Sequence, residues 1–347
     1  MRLLFHPSGC MKTAVFMMAA MVILASAGVV AAEAPKSLEE CARIEDAAER
    51  LKCYDELAGR KPPDTAAGRE TIAKKTPEEA QEIPTYLEKL WDLDRESRRG
   101  KFAVKFHRSN YILPFTYVEH PNEEPIREDD PTRELKNPEV KFQLSFKVKL
   151  WQDILGRNMD LWFGYTQKSF WQLYDLDESS PFRETDYEPE LLLNFRTNYD
   201  LLGLKGRFIN VGINHQSNGQ TDPLSRSWNR FVANFGFERG NFVLLLNTWL
   251  RIPEDSDDDD NPDIESYLGY GELWGYYYWN QHRLSMMVRN NFNFDDNHGA
   301  VQLEWAFPLM ERVSGYIQYF HGYGESLLDY NHSIRRIGLG FIIKDWD

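Results

Sequence analysis

His215 and Ser217, two residues apart, are a base and a nucleophile by residue type. A serine hydroxyl attacks poorly until a base takes its proton, and the base needs a partner to fix its tautomer. The pair closes the segment Ile209-Asn210-Val211-Gly212-Ile213-Asn214-His215-Gln216-Ser217. Ile209, Val211 and Ile213 share the parity of His215 and Ser217, while Asn210, Gly212, Asn214 and Gln216 take the other. In a strand, residues i and i+2 lie on one face, so both polar residues fall on the apolar one. The following segment places Asn229, Phe231, Ala233, Phe235 and Phe237 on one parity, and Trp228, Arg230, Asn234 and Glu238 on the other. With residues 218–227 as the connecting loop, the two strands pair antiparallel. Asn229 then lies opposite or diagonal to His215. Its amide oxygen can accept the imidazole N–H, but a neutral group supports an imidazolium less than a carboxylate does. It also costs less beside lipid. The residues leave an alternative open, in which all three are interfacial polar side chains at strand ends, because His-x-Ser is common by chance.

The loop Gly219-Gln220-Thr221-Asp222-Pro223-Leu224-Ser225 offers a carboxylate, a hydroxyl and backbone carbonyls near the pair. Hard oxygens of this kind suit Ca²⁺, which could polarise an ester carbonyl. Taken alone, the same residues read as an Asp-Pro turn with a serine cap. The acidic run Asp255 to Asp260 lacks the spaced ligands of an EF-hand and reads as a solvated loop.

Strands must position these residues, and period-two alternation runs from about Lys101 to the end. Val140, Phe142, Leu144, Phe146, Val148 and Leu150 oppose Lys141, Gln143, Ser145, Lys147 and Lys149. Leu191, Leu193 and Phe195 oppose Glu190, Asn194 and Arg196, with Leu192 an exception. Val301, Leu303, Trp305, Phe307 and Leu309 alternate with Gln302 and Glu304. Ile337, Leu339, Phe341 and Ile343 alternate with Arg336, Gly338 and Gly340. About twelve such segments occur, the even number a bacterial barrel requires. Long polar loops near 119–137, 174–186, 218–227, 252–266 and 322–333 alternate with short links near 152–158, 201–205, 239–241 and 280–282. This asymmetry predicts an all-β fold: a twelve-stranded antiparallel transmembrane β-barrel with long external loops and short periplasmic turns. If the lumen is polar, His215 and Ser217 face lipid, where a polar pair is costly and points to function.

The composition agrees. The 347 residues are 42% hydrophobic and 14% aromatic, with 10 Trp and 17 Tyr, which suit strands and membrane interfaces. A net charge of −14 argues against nucleic acid as partner. Arg2 and Lys12 precede an apolar run from Ala14 to Ala32, and Val30-Ala31-Ala32 fits a signal-peptidase site. Residues 1–32 thus read as a secretory signal. Residues 33–99 read as a small helical and linker extension in the periplasm, with one short helix within 84–99, and residues 100–347 as the barrel. Cys41 and Cys53 are too far apart on one straight helix, about 18 Å, but a helical hairpin would join them. A structural disulfide is favoured over a metal site or reactive thiols, since no histidine or second cysteine pair accompanies them.

The stretch Asn214-His215-Gln216-Ser217-Asn218-Gly219-Gln220-Thr221-Asp222-Pro223-Leu224-Ser225-Arg226-Ser227-Trp228-Asn229-Arg230 resembles the signature of the outer-membrane phospholipases A of Gram-negative bacteria. The likeness extends through Val140–Ser145, Tyr165–Ser169, Ser180–Thr185 and Gly322–Leu327, and covers roughly residues 100 to 347. It implies hydrolysis of acyl esters of phospholipids and lysophospholipids, with Ser217 as nucleophile, His215 as base and Asn229 as orienting residue. It also implies calcium ligands at Asp222, Ser225 and the Gln220 carbonyl. Ser179 would come from a partner subunit, because the family is activated by calcium-dependent dimerisation. Gln167 matches a family interface position. Trp346 and Asp347 depart from the usual terminal aromatic, and residues 33–99 have no counterpart in the family pattern. Two other readings are a non-catalytic barrel and a soluble secreted esterase built as a β-sandwich.

Overall fold

The structure, a computed structural model, describes residues 37–44, 46–59, 85–93, 100–257 and 259–344. The signal segment, most of the linker, and Trp346 and Asp347 lie outside the described residues. The chain divides into two compact units, Met1–Glu82 and Ile83–Asp347. In the first, helices α1 (Leu38–Ala42) and α2 (Ala47–Leu57) form the expected hairpin, and Cys41 and Cys53 are joined as a disulfide with Cα atoms 5.5 Å apart.

The second unit is a closed antiparallel barrel. Its strands are β1 (Val104–Phe106), β2 (Tyr111–Glu119), β3 (Pro138–Trp151), β4 (Met159–Trp171), β5 (Phe182–Leu201), β6 (Leu204–Ser217) and β7 (Ser227–Arg239). They continue with β8 (Phe242–Ile252), β9 (Gly271–Trp279), β10 (His282–Asn290), β11 (Gly299–Pro308), β12 (Val313–Gly322) and β13 (Ile334–Ile343). Neighbours in sequence pair along the wall, and β13 closes onto β2. Thirteen strands make twelve staves, because β1 and β2 lie end to end along β3, with Phe106 opposite Phe146 and Tyr111 opposite Gln143. At the gap Asn110 stands in for the backbone ladder. Its Oδ1 accepts from Ser145 N at 2.7 Å and its Nδ2 donates to Ser145 O at 2.9 Å. The twelve-stranded barrel expected from alternation is thus observed.

The two faces sort as the parity requires. Leu144, Phe231, Leu250, Leu284, Leu303, Ile337 and Leu339 are exposed outward. Lysines, arginines and carboxylates are buried inside. Lys141 Nζ meets Glu325 Oε1 at 2.7 Å, Arg336 spans Glu325 and Glu139 at 2.7 and 2.5 Å, and Arg183 reaches Asp329 at 3.0 Å. Burying such charges is tolerable only because each finds partners.

The helix expected within 84–99 is α3, Tyr86–Trp91, opened by a Thr85/Glu88 capping box. It inserts where the inner wall is apolar. Leu87 and Trp91 pack against Trp162, Leu192, Phe208 and Val243. That explains Leu192, the residue that broke the alternation: at this level the lumen holds a helix, not charges. Trp91 carries Lys147 over its ring at 3.5 Å, and Asp92 at the C-cap pairs with Lys149 at 2.9 Å and with Lys105. Two further helices, α4 (Glu124–Asp129) and α5 (Ile264–Leu268), lie in the long loops. The loop after β10, residues 291–298, also belongs to this long set, though its sequence did not single it out.

Candidate active site

The site starts from the register of β6 on β7. Behind the wall, Asn214 Nδ2 donates to Glu188 at 2.9 Å, Arg230 Nε donates to Asn214 Oδ1 at 3.0 Å, and Trp228 Nε1 donates to Gln216 Oε1 at 2.9 Å. The Arg230 guanidinium lies 4.1 Å from the Trp228 ring centre. A slip of one residue would turn these groups to the outside, so the network fixes which residues face each other in front. In front, His215 is directly opposite Asn229 and Ser217 opposite Ser227. His215 Nδ1 lies 2.9 Å from Asn229 Oδ1. An amide oxygen only accepts, so Nδ1 carries the proton and Nε2 keeps its lone pair. Ser217 follows on the same outward face, two residues along the strand.

Asn229 has a second partner. Its Nδ2 donates to Glu254 Oε1 at 2.5 Å. Glu254 follows β8 by two residues, on the outward parity of Leu250 and Ile252, and its side chain is 18% exposed. Sequence reasoning missed it, although extending the parity of β8 past Pro253 would have found it.

The loop after Ser217 is built on Asn218. This side chain accepts from the amides of Gln220 and Arg226 at 3.2 and 3.1 Å and donates to Leu224 O at 2.7 Å. Gly219 takes φ +67°, and a Cβ there would come within 3.3 Å of the Tyr187 ring. Asp222 is exposed and precedes a cis proline. Ser225 Oγ donates to Asp260 Oδ2 at 2.5 Å, and Ser227 N donates to Asn261 Oδ1 at 3.0 Å. Arg251 holds Asp259 at 2.5 Å and the Asn261 carbonyl at 3.1 Å. The acidic run is therefore more than a solvated loop: Asp260 ties loop 253–263 to loop 218–226, and Asp259 is held by Arg251 at the end of β8. Among the described residues no three His, Cys, Asp or Glu side chains cluster as a metal site. Any cation here would depend on serine and carbonyl oxygens beside the carboxylates. Ser179, at φ +59°, lies exposed in a different loop, between β4 and β5.

One outward row links these parts. Leu144 is opposite Gln167, Gln167 opposite Tyr187, and Tyr187 opposite Ser217. Gln167 accepts from Tyr165 OH at 3.3 Å and donates to Ser169 Oγ at 3.2 Å.

The family model of phospholipase A1 matches residues 87–343. The chain belongs to the phospholipase A1 family. A Klebsiella pneumoniae phospholipase A1 is 42% identical over 244 residues, which cover 70% of this chain and 83% of that protein. Two solved structures superpose over the barrel. One is an asparagine-to-alanine active-site mutant of Escherichia coli outer membrane phospholipase A, with TM-score 0.68 and 37% identity over 76% of this chain and 98% of that one. The other is the Salmonella typhi outer membrane phospholipase dimer with bound calcium, with TM-score 0.67 and 40% identity over 72% and 94%. This phospholipase is an outer-membrane β-barrel enzyme that hydrolyses phospholipids. The non-catalytic barrel and the soluble esterase are set aside.

Proposed function

We propose that this phospholipase cleaves acyl esters of phospholipids and lysophospholipids through Ser217, His215 and Asn229, with calcium and a second copy of the chain completing the site. The observation that carries the reading is the 2.9 Å contact of His215 Nδ1 with Asn229 Oδ1, on the outward face that Ser217 shares. His215 Nε2 takes the Ser217 proton as Oγ attacks the ester carbonyl. The same nitrogen then protonates the departing alkoxide of the glycerol. Water next attacks the acyl-serine, giving its proton to Nε2, and releases the fatty acid with Ser217 restored. The Gly219 N–H is the candidate donor to the oxyanion.

The oxygens of Asp222, Ser225 and the Gln220 carbonyl would hold Ca²⁺, with Ser179 of the partner subunit. The joining of Ser225 to the Asp260 carboxylate supports an oxygen-rich site of this chemistry. When bound, the ion supplies Lewis-acid polarisation of the ester carbonyl. Dimerisation through Gln167 is supported by its place in the Ser217 row. Two strand spacings, about 10 Å, separate the two residues. A partner seated there would also cover Tyr187 and wall an acyl-chain cleft.

In detergent micelles with calcium, Ser217→Ala should lose on the order of 10⁴-fold or more in kcat. Undiminished hydrolysis by that variant would refute the nucleophile. Chelation should abolish activity and dissociate the dimer, read by cross-linking, and added calcium should restore both.

A further inference from the structure

The triad reading leaves a deficit. An imidazolium forms on His215 during the reaction, and its partner Asn229 is neutral. A carboxylate in that place would stabilise the developing charge more strongly. The carboxylate is present one residue further out. Asn229 uses both ends of its amide: Oδ1 faces His215 Nδ1 at 2.9 Å, and Nδ2 donates to Glu254 Oε1 at 2.5 Å. These contacts cross three staves, from β6 through β7 to the end of β8, where Asn229 is opposite Ile252.

We infer that Glu254 is a positioning residue for catalysis, which orients the Asn229 amide and relays negative charge through it to His215. Two physical effects follow from the geometry. The first is orientation. An amide can flip end for end, and the wrong end would present N–H to an imidazole N–H. A carboxylate accepts only, so it pins Nδ2 outward and leaves Oδ1 for the base. The second is polarisation. A charge-assisted hydrogen bond to the amide nitrogen draws electron density toward Oδ1, and linked hydrogen bonds strengthen one another. The arrangement also divides the location from the charge. Asn229 lies in the wall, where a carboxylate would be costly, and Glu254 lies past the strand end, with its side chain 18% exposed.

The other charges around Glu254 fit this role. Arg251 Nη2 is 3.9 Å from Oε2, beyond a hydrogen bond, and makes its close contact with Asp259 at 2.5 Å. Arg251 therefore pairs with Glu254 only at long range and more closely with Asp259. Burial raises the Glu254 carboxyl above its ordinary value, while the Asn229 amide, Arg251 and His215 draw it back and Asp259 pushes it up.

The proposal rests on the triad reading, and the test separates the two. Hydrolysis is measured on mixed micelles for Glu254→Gln, Asn229→Ala, Ser217→Ala and the pair Asn229→Asp with Asn229→Asp/Glu254→Gln, and folding is checked by heat-modified gel mobility. Glu254→Gln should lower kcat by about tenfold, the scale of one lost charge-assisted contact, with KM unchanged and the denaturant midpoint unchanged or raised. In the Asn229→Asp background the base has its own carboxylate, and Glu254 would repel it. There Glu254→Gln should cost nothing or increase kcat. Wild-type kcat in Glu254→Gln, a change confined to KM, or an equal loss in both backgrounds would each overturn the inference. Should Asn229→Asp not fold, wild-type kcat in Glu254→Gln beside a lowered Asn229→Ala still overturns it. Wild-type activity in both Ser217→Ala and Asn229→Ala would instead bring down the triad reading itself.

Discussion

At the scale of single residues, the site depends on what an asparagine can and cannot do. A hydrogen bond to a charged group is worth about 2 kcal/mol, so Asn229→Ala should lower kcat by about thirtyfold, still far less than Ser217→Ala. Steady-state kinetics on the two variants checks the ratio. Glu254 adds a pH dependence. Its carboxyl is raised by burial, so the folded chain keeps this proton at pH values where the unfolded chain has lost it. Its contribution to stability is therefore present on the acid side and is lost as pH rises through the raised value. Its contribution to catalysis runs the other way, because the ionised form is needed. The ratio of wild-type to Glu254→Gln kcat should accordingly shrink toward one as pH falls through that window. The positions of His215, Ser217 and Asn229 on one face were legible in the sequence because strand parity is a strict rule. Glu254 and Asp260 were not. Glu254 keeps the parity of β8 but follows Pro253, which reads as the end of the strand, and Asp260 lies inside a run of acids that resembles a solvated loop.

Elements decide whether those residues meet. The β6–β7 register is held from behind by Asn214, Gln216, Trp228 and Arg230, so the inner face of the wall sets the outer one. Gly219 is another fixed point. At φ +67° a β-branched residue is strained and would press on Tyr187, so Gly219→Val should impair hydrolysis while leaving the barrel folded. Assays beside gel mobility would show the split. Helix α3 was expected from its local pattern, but its place inside the barrel was not. The lone sign was Leu192, an apolar residue on the polar parity, whose partner Trp91 is separated from it by about a hundred residues. Trp91→Ala removes the largest contact of this helix and should weaken its docking by about 3–5 kcal/mol. Hydrogen exchange should rise over residues 85–93 before it rises in the strands.

Across the barrel, the lumen carries paired charges. Arg336 contacts Glu139 and Glu325, Lys141 contacts Glu325, and Arg183 joins Glu139 to Asp329. Replacing Arg336 by Met leaves both carboxylates short of a partner and should cost about 3–5 kcal/mol, read as a lower denaturant midpoint in detergent. The alternation that revealed the barrel also revealed this charged interior, because both follow from one period. A site on the outward face gives substrate and product the outside of the wall as their route. The proposed triad faces that way, so its concentration variable is not moles per litre. An enzyme whose nucleophile opens sideways into a lipid film samples a plane. At fixed bulk phospholipid, diluting the lipid with inert detergent should lower the rate as the surface mole fraction falls. Adding more mixed micelles of constant composition to a cross-linked dimer, once every enzyme is embedded, should leave the rate unchanged. Encounter here is a matter of area, and fatty acid leaves into the same two dimensions from which the ester arrived.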